Sequence, residues 1–98
     1  MYNYNELLNK LLNMLHELQT QFKNTKNIKI STKKYTDTTI IQVDLTDFCT
    51  SEFIIVFSTD VISFYRNGVL IVTGLLNWCS YEIFKIIVTS IYDICDDF

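Results

Sequence analysis

Neither alanine nor proline occurs in these 98 residues, glycine appears twice, and arginine only once. The avoided types are mostly those with GC-rich codons. Ile, Asn, Lys, Tyr and Phe, whose codons are mostly AT-rich, supply 41 of the 98 positions. The composition therefore marks an AT-rich gene of the kind common in phages, plasmids and low-GC bacteria. It records mutation bias and carries no mechanism of its own.

Other absences bear on chemistry. One histidine, His16, and three cysteines, Cys49, Cys79 and Cys95, form no CxxC pair, whereas a metal site needs three or four ligands at workable spacing. A Cys/His nucleophile pair requires His16 beside one of the thiols. His16 falls mid-helix next to Glu17, Cys79 and Cys95 read as small apolar helix residues, and Cys49 sits in a loop. No Gly-rich phosphate loop and no GxSxG occurs, and Asp44, Asp47 and Glu52 read as solvated strand and loop charges. The expectation is a non-enzymatic protein with no catalytic residues, no metal and no cofactor. No basic segment precedes an apolar one near residue 1, so a signal peptide is not expected. The odd cysteine count fits a reducing compartment. The expected location is cytoplasmic, within the host cell if the gene is viral.

What is present is globular in character: 49% hydrophobic, 14% aromatic and 19% charged residues, a balance unlike that of disordered chains. The length suits one domain, 1–98, around a single core. Charge is unevenly spread. Residues 1–36 hold six lysines against two acids, and residues 37–98 hold Arg66 and Lys85 against nine acids, giving +4 and −7, which sum to −3.

Tyr4, Leu8, Leu11, Leu15, Leu18 and Phe22 recur at steps of three and four, the stripe of an amphipathic helix. Asn3 followed by Glu6 resembles a capping box, and FKNTKN supplies residues that compete for the backbone. A helix is expected over 5–24. IKISTKKY and TTIIQVDLTDF then alternate apolar and polar residues, as half-buried strands do. The last segment, from LLNW to the terminal DDF, reads as a second helix of about twenty residues at 100° per residue. Its apolar arc centres on Leu76, Cys79, Ile83, Ile87, Ile91 and Ile94, with Phe84, Ile86 and Val88 beside them.

Between these lies FIIVFSTDVISFYRNGVLIV, long and apolar enough to raise the question of a membrane span. A spanning helix would place Asp60 and Arg66 in hydrocarbon, at roughly 2.5–3.5 kcal/mol each near the centre. Asn67-Gly68, by contrast, is the strongest short hairpin signal in the chain, because a type I′ turn needs positive φ at both central residues. Pairing across it sets Phe64 opposite Ile71. A second two-residue turn at Thr59-Asp60 sets Phe57 opposite Ile62 and Ile55 opposite Phe64. Both registers gather Phe53, Ile55, Phe57, Ile62, Phe64 and Ile71 on one face. The stretch is three strands, and no membrane contact is expected. The fold class is therefore α+β: an N-terminal helix, a five-stranded antiparallel β-meander and a C-terminal helix, with the helices packed on the sheet.

The core face also receives Ile28, Ile30, Ile41, Val43 and Leu45. The reverse face carries Ile54, Val56, Val61, Tyr65, Leu70 and Val72, relieved by Ser58 and Ser63, where an antiparallel sheet facing water is normally polar. A patch of that size seldom stays wet. Either the two helices cover opposite faces, or a partner covers one: a second copy across a two-fold axis or another protein. Trp78 falls on the polar arc of the second helix and is a further candidate interface anchor. The candidate interface is Ile54, Val56, Tyr65, Leu70, Val72 and Trp78, and a homodimer is the leading expectation. With the AT-rich composition, this gives a phage or mobile-element protein that inhibits a host defence factor.

Two rival readings have their own residues. Lys23, Lys26, Lys29, Lys33 and Lys34 are five of the seven lysines and could touch nucleic-acid phosphates, although lysine on an edge strand is also a common guard against aggregation. A small apolar ligand would fit if the sheet and second helix enclosed a cavity. The acidic tail, Asp96-Asp97-Phe98, opposes the helix dipole and reads as a solvated end.

Overall fold

The computed structural model describes residues 3–98, and of Asn77, Trp78 and Cys79 the backbone alone. Helix α1 spans Tyr4–Phe22, two residues short of the expected end. Asn3 caps it in an extended conformation, its side-chain oxygen accepting from the backbone N–H groups of Asn5 and Glu6, two of the donors a helix start leaves unpaired. The helix stops where the carbonyl of Phe22 is taken by the N–H groups of Thr25 and Lys26 and by the Thr25 hydroxyl. That turn is the backbone competition expected from FKNTKN.

Five strands follow, β1 Lys29–Lys34, β2 Thr38–Asp44, β3 Glu52–Ser58, β4 Val61–Arg66 and β5 Val69–Leu75, and then helix α2 Leu76–Asp97. They form one sheet in the order β1-β2-β3-β4-β5, each strand antiparallel to its neighbours. The expected α+β meander is the observed fold. Asn67 and Gly68 have φ of 50° and 83°, the left-handed pair that a type I′ turn demands. Asn67 also extends the sheet: its N–H donates to the Glu52 carbonyl, and its side-chain oxygen accepts from the Glu52 N–H. At the other turn the Ser58 hydroxyl both donates to the Val61 carbonyl and accepts from the Val61 N–H.

Both helices pack on the same face of this sheet. Phe57 settles the point, because the Tyr4 ring of α1 meets it edge-on at 5.1 Å and Phe84 of α2 lies 6.1 Å away. The helices run parallel and touch along their length, through Lys10 over the Tyr81 ring at 5.3 Å and Phe22 against Tyr92 at 5.6 Å. Leu8, Leu11, Leu15 and Leu18 of α1 and Leu76, Ile83, Phe84, Ile87, Ile91 and Cys95 of α2 are buried against Ile41, Val43, Phe53, Ile55, Phe57, Ile62 and Phe64. Phe53 and Phe64, neighbours on β3 and β4, stack with planes 5° apart. The helical seam is rotated from the expected one. Cys95 is buried, while Ile94 is half-buried and Ile86 exposed.

One strand departs from simple alternation. Tyr65 pairs with Leu70 as expected, but Phe64 pairs with Val72 and not with Ile71. Ile71 is the extra residue of a β-bulge, which shifts every later side chain of β5 to the opposite face. Two expectations are corrected by it. Val72, assigned to the reverse face, packs against the core, and Ile71, assigned to the core, is 48% exposed. The shift also sets Gly74 opposite Ile62, at the point where the chain enters α2.

The Tyr4 hydroxyl donates to the Phe57 carbonyl at 2.9 Å and meets the hydroxyl of buried Thr39 at 3.0 Å. It ties the first turn of α1 to two central strands. Replacing Tyr4 with Phe is expected to destabilise the fold by about 1–2 kcal/mol, because Thr39 loses its partner away from water. Urea denaturation checks this, with the midpoint falling and the slope unchanged.

Candidate protein interaction surface

Residues paired across neighbouring strands share a face, so the ladder maps the open side of the sheet directly. Between the buried positions of β2, β3 and β4 lie Ile40, Gln42, Ile54, Val56, Val61, Ser63 and Tyr65, all half-buried. Leu70 and Leu75 of β5 continue the surface and are 49% and 50% exposed. No helix among the described residues lies over this face. Of the anticipated interface residues, Ile54, Val56, Tyr65 and Leu70 come together on it and Val72 does not. Trp78 lies outside the described side chains. The alternation had not singled out Ile40 or Leu75. The register Ile40↔Val56 and the bulge bring them in.

Two of the polar members of the surface are satisfied locally. The Ser63 and Thr73 hydroxyls meet at 2.9 Å, and Thr73 also donates to the Ile62 carbonyl. Those two hydroxyls are therefore paired among the aliphatic side chains, whereas the Gln42 amide and the Tyr65 hydroxyl on the same face have no hydrogen-bond partner among the described residues and need one from whatever covers them. A shallow depression of about 430 Å³ lies at one end, lined by Glu52, Ile54, Tyr65, Asn67 and Gly68.

The lysines do not form one exposed face. Lys29 and Lys33 point to the open side with their partners Asp44 and Ile40, whereas Lys34, paired with buried Thr39, points the other way. Lys29 bridges to Asp47 at 3.3 Å, and Asn27 donates to the same carboxylate. Lys26 lies over the Phe48 ring at 5.9 Å, and Lys23 caps α1. This charge pattern suits edge protection on β1 better than a phosphate track. Asp44 accepts from the hydroxyl and then the N–H of Thr46. These bonds, with the nearby Lys29 charge, hold its carboxyl below the usual carboxylate range.

His16 meets Gln19 on its own helix at 3.3 Å, and the Cys49 thiol donates to the Leu45 carbonyl. Among the described residues no three His, Cys, Asp or Glu side chains converge as metal ligands, and no helix is long and apolar enough to cross a membrane. The sheet and α2 flank an open groove of about 330 Å³ lined by Phe53, Phe64, Arg66, Ile71, Asp93 and Ile94, among others. Its mixed lining, with Arg66 donating to the Ser51 hydroxyl at 3.0 Å, is not an enclosed apolar cavity. Comparison with known proteins finds no matching family model, no matching curated protein and no matching solved structure.

Burial pushes the Cys95 thiol up to about 11 from the ordinary 9.0, with the nearby Cys49 raising it further and Lys26 opposing. A thiol that keeps its proton is a poor nucleophile. Mass-spectrometric mapping after brief treatment with an aromatic disulfide at pH 8 should find Cys95 unmodified in the folded protein and modified once it is unfolded. The same shift has a thermodynamic sign. The unfolded thiol releases its proton first, so a stabilisation on the order of 2 kcal/mol, complete below pH 9, is lost as pH rises toward 11. Denaturation midpoints across that window measure it.

Proposed function

We propose that the chain is a non-enzymatic protein–protein interaction module that works through the open face of its sheet and assembles as a homodimer. The observation that carries this reading is the position of the helices. With α1 and α2 on one side, Ile40, Ile54, Val56, Val61, Tyr65 and Leu70 have nothing of the described chain above them.

Magnitudes make the reading reasonable. Burying a whole large apolar side chain contributes about 1.5–3 kcal/mol, so gaining a third of that at these six positions amounts to roughly 3–6 kcal/mol per face. Two such faces together supply about 6–12 kcal/mol, against a loss of freedom on association of about 4–15 kcal/mol. The balance describes a dimer that forms and dissociates with concentration. The AT-rich composition further supports a phage or mobile-element origin, with a defence protein of the host cell as the target of the assembled dimer.

Size-exclusion chromatography with light scattering is the direct test. The measured mass is expected to rise with concentration from the 11.5 kDa of one chain to twice that value. A strict monomer at high concentration would end the homodimer reading. For the target, the purified dimer should inhibit a reconstituted defence system, and inhibition should be lost with Ile54→Lys.

A further inference from the structure

The open face is not uniform, and its unevenness restricts how a second copy can sit. The β1 margin contributes Lys29, Ser31 and Lys33. Lys29 is neutralised by Asp47, but Lys33 is exposed and has no ion pair among the described residues. From β2 to β5 the surface is carried by Ile40, Ile54, Val56, Val61, Tyr65, Leu70 and Leu75, and its acids, Asp44 and Glu52, sit together at one end. The whole of β5 has no charged residue. One edge of the face is therefore basic and the other oily.

Two sheets stacked face to face keep their strands within about 30° of each other, and two identical copies are related by a two-fold axis in the plane between them. An axis running across the strands lays each strand over its own copy, so the β1 lysines confront each other. An axis along the strands and centred on β3 lays β1 over β5, which buries the Lys33 ammonium against Leu70 and Leu75 with no counter-charge. A buried unpaired charge is strongly unfavourable. Moving the axis half a strand spacing toward β5 removes both lysine penalties: β2 then covers β5, β3 covers β4, β1 projects beyond the contact, and Asp44 and Glu52, the terminal residues of β2 and β3, fall at its rim.

Area limits the shift from the other side. Four strands about 4.8 Å apart and about 23 Å long give a plan area of roughly 440 Å² per copy, before side-chain corrugation is counted. Specific interfaces begin near 600 Å² of accessible surface per partner, so a corrugated four-strand overlap approaches that bound and a three-strand overlap falls short. Charge excludes β1 and area retains the rest. We infer that a second copy docks off-centre on the open face, with the two-fold axis along the strands between β3 and β4, giving a four-layer dimer with helices outside and both β1 edges free.

This arrangement rests on the homodimer reading, and the experiment separates the two. A sample mixing carbon-13-labelled and unlabelled chains reports contacts between protomers in wild-type protein, by isotope-filtered nuclear Overhauser effects. Contacts are expected between Val56 and the partner's β4, and between Ile40 and the partner's β5, with none from the Lys29 or Lys33 methylenes. In parallel, Ile54→Lys should raise the dissociation constant about a hundredfold or more, while Lys33→Glu should change it by less than about threefold. Circular dichroism verifies that both variants fold. A wild-type monomer removes the homodimer reading and this arrangement with it. A dimer with filtered contacts from Lys29 or Lys33, or from α1 or α2, overturns the arrangement alone, as does equal sensitivity to the two substitutions.

Discussion

Phe57 is held from both helices at once, edge-on by Tyr4 of α1 and at a tilt by Phe84 of α2, while its carbonyl accepts the Tyr4 hydroxyl. That meeting point fixes the two ends of the chain to the same side of the sheet. Everything else about the surface follows from it. Had one helix crossed to the other side, the aliphatic residues of β3 and β4 would be covered from within, and the molecule would present helices to solvent on both sides. With the helices side by side, the described residues leave one layer of the fold open.

Much of this was readable in the residues. Asn67-Gly68 foretold its own hairpin because few residue pairs adopt two left-handed conformations in succession, and the alternation of FIIVFS set which side of β3 would be buried. The α1 stripe gave its buried leucines correctly, since a period near 3.6 leaves little freedom about which face is inside. The side chosen by each helix was not readable. Amphipathic helices show that they need a partner surface, and both faces of this sheet are apolar enough to be one. The deciding contact joins Tyr4 to a strand 53 positions away, and local periodicity carries no signal at that separation.

The bulge at Ile71 was missed for a different reason. An alternation of period two can be shifted by one residue without any change in composition, and VLIVTGL is apolar in either register. The available hint was Gly74, since an isolated glycine within a strand often marks a bulge or a close approach. Here it faces Ile62 just before α2 begins. Among the candidate site residues, only Val72 changes sides as a result.

The bulge also governs what the outer margin of the sheet can do. An oily, uncharged border strand ordinarily offers a row of backbone donors and acceptors on which further strands can add without limit. The extra residue at Ile71 interrupts that row near its middle, just as lysines discourage addition along the opposite border. Growth by lateral strand exchange is hindered at both rims, which favours a closed, countable assembly over an open-ended fibre.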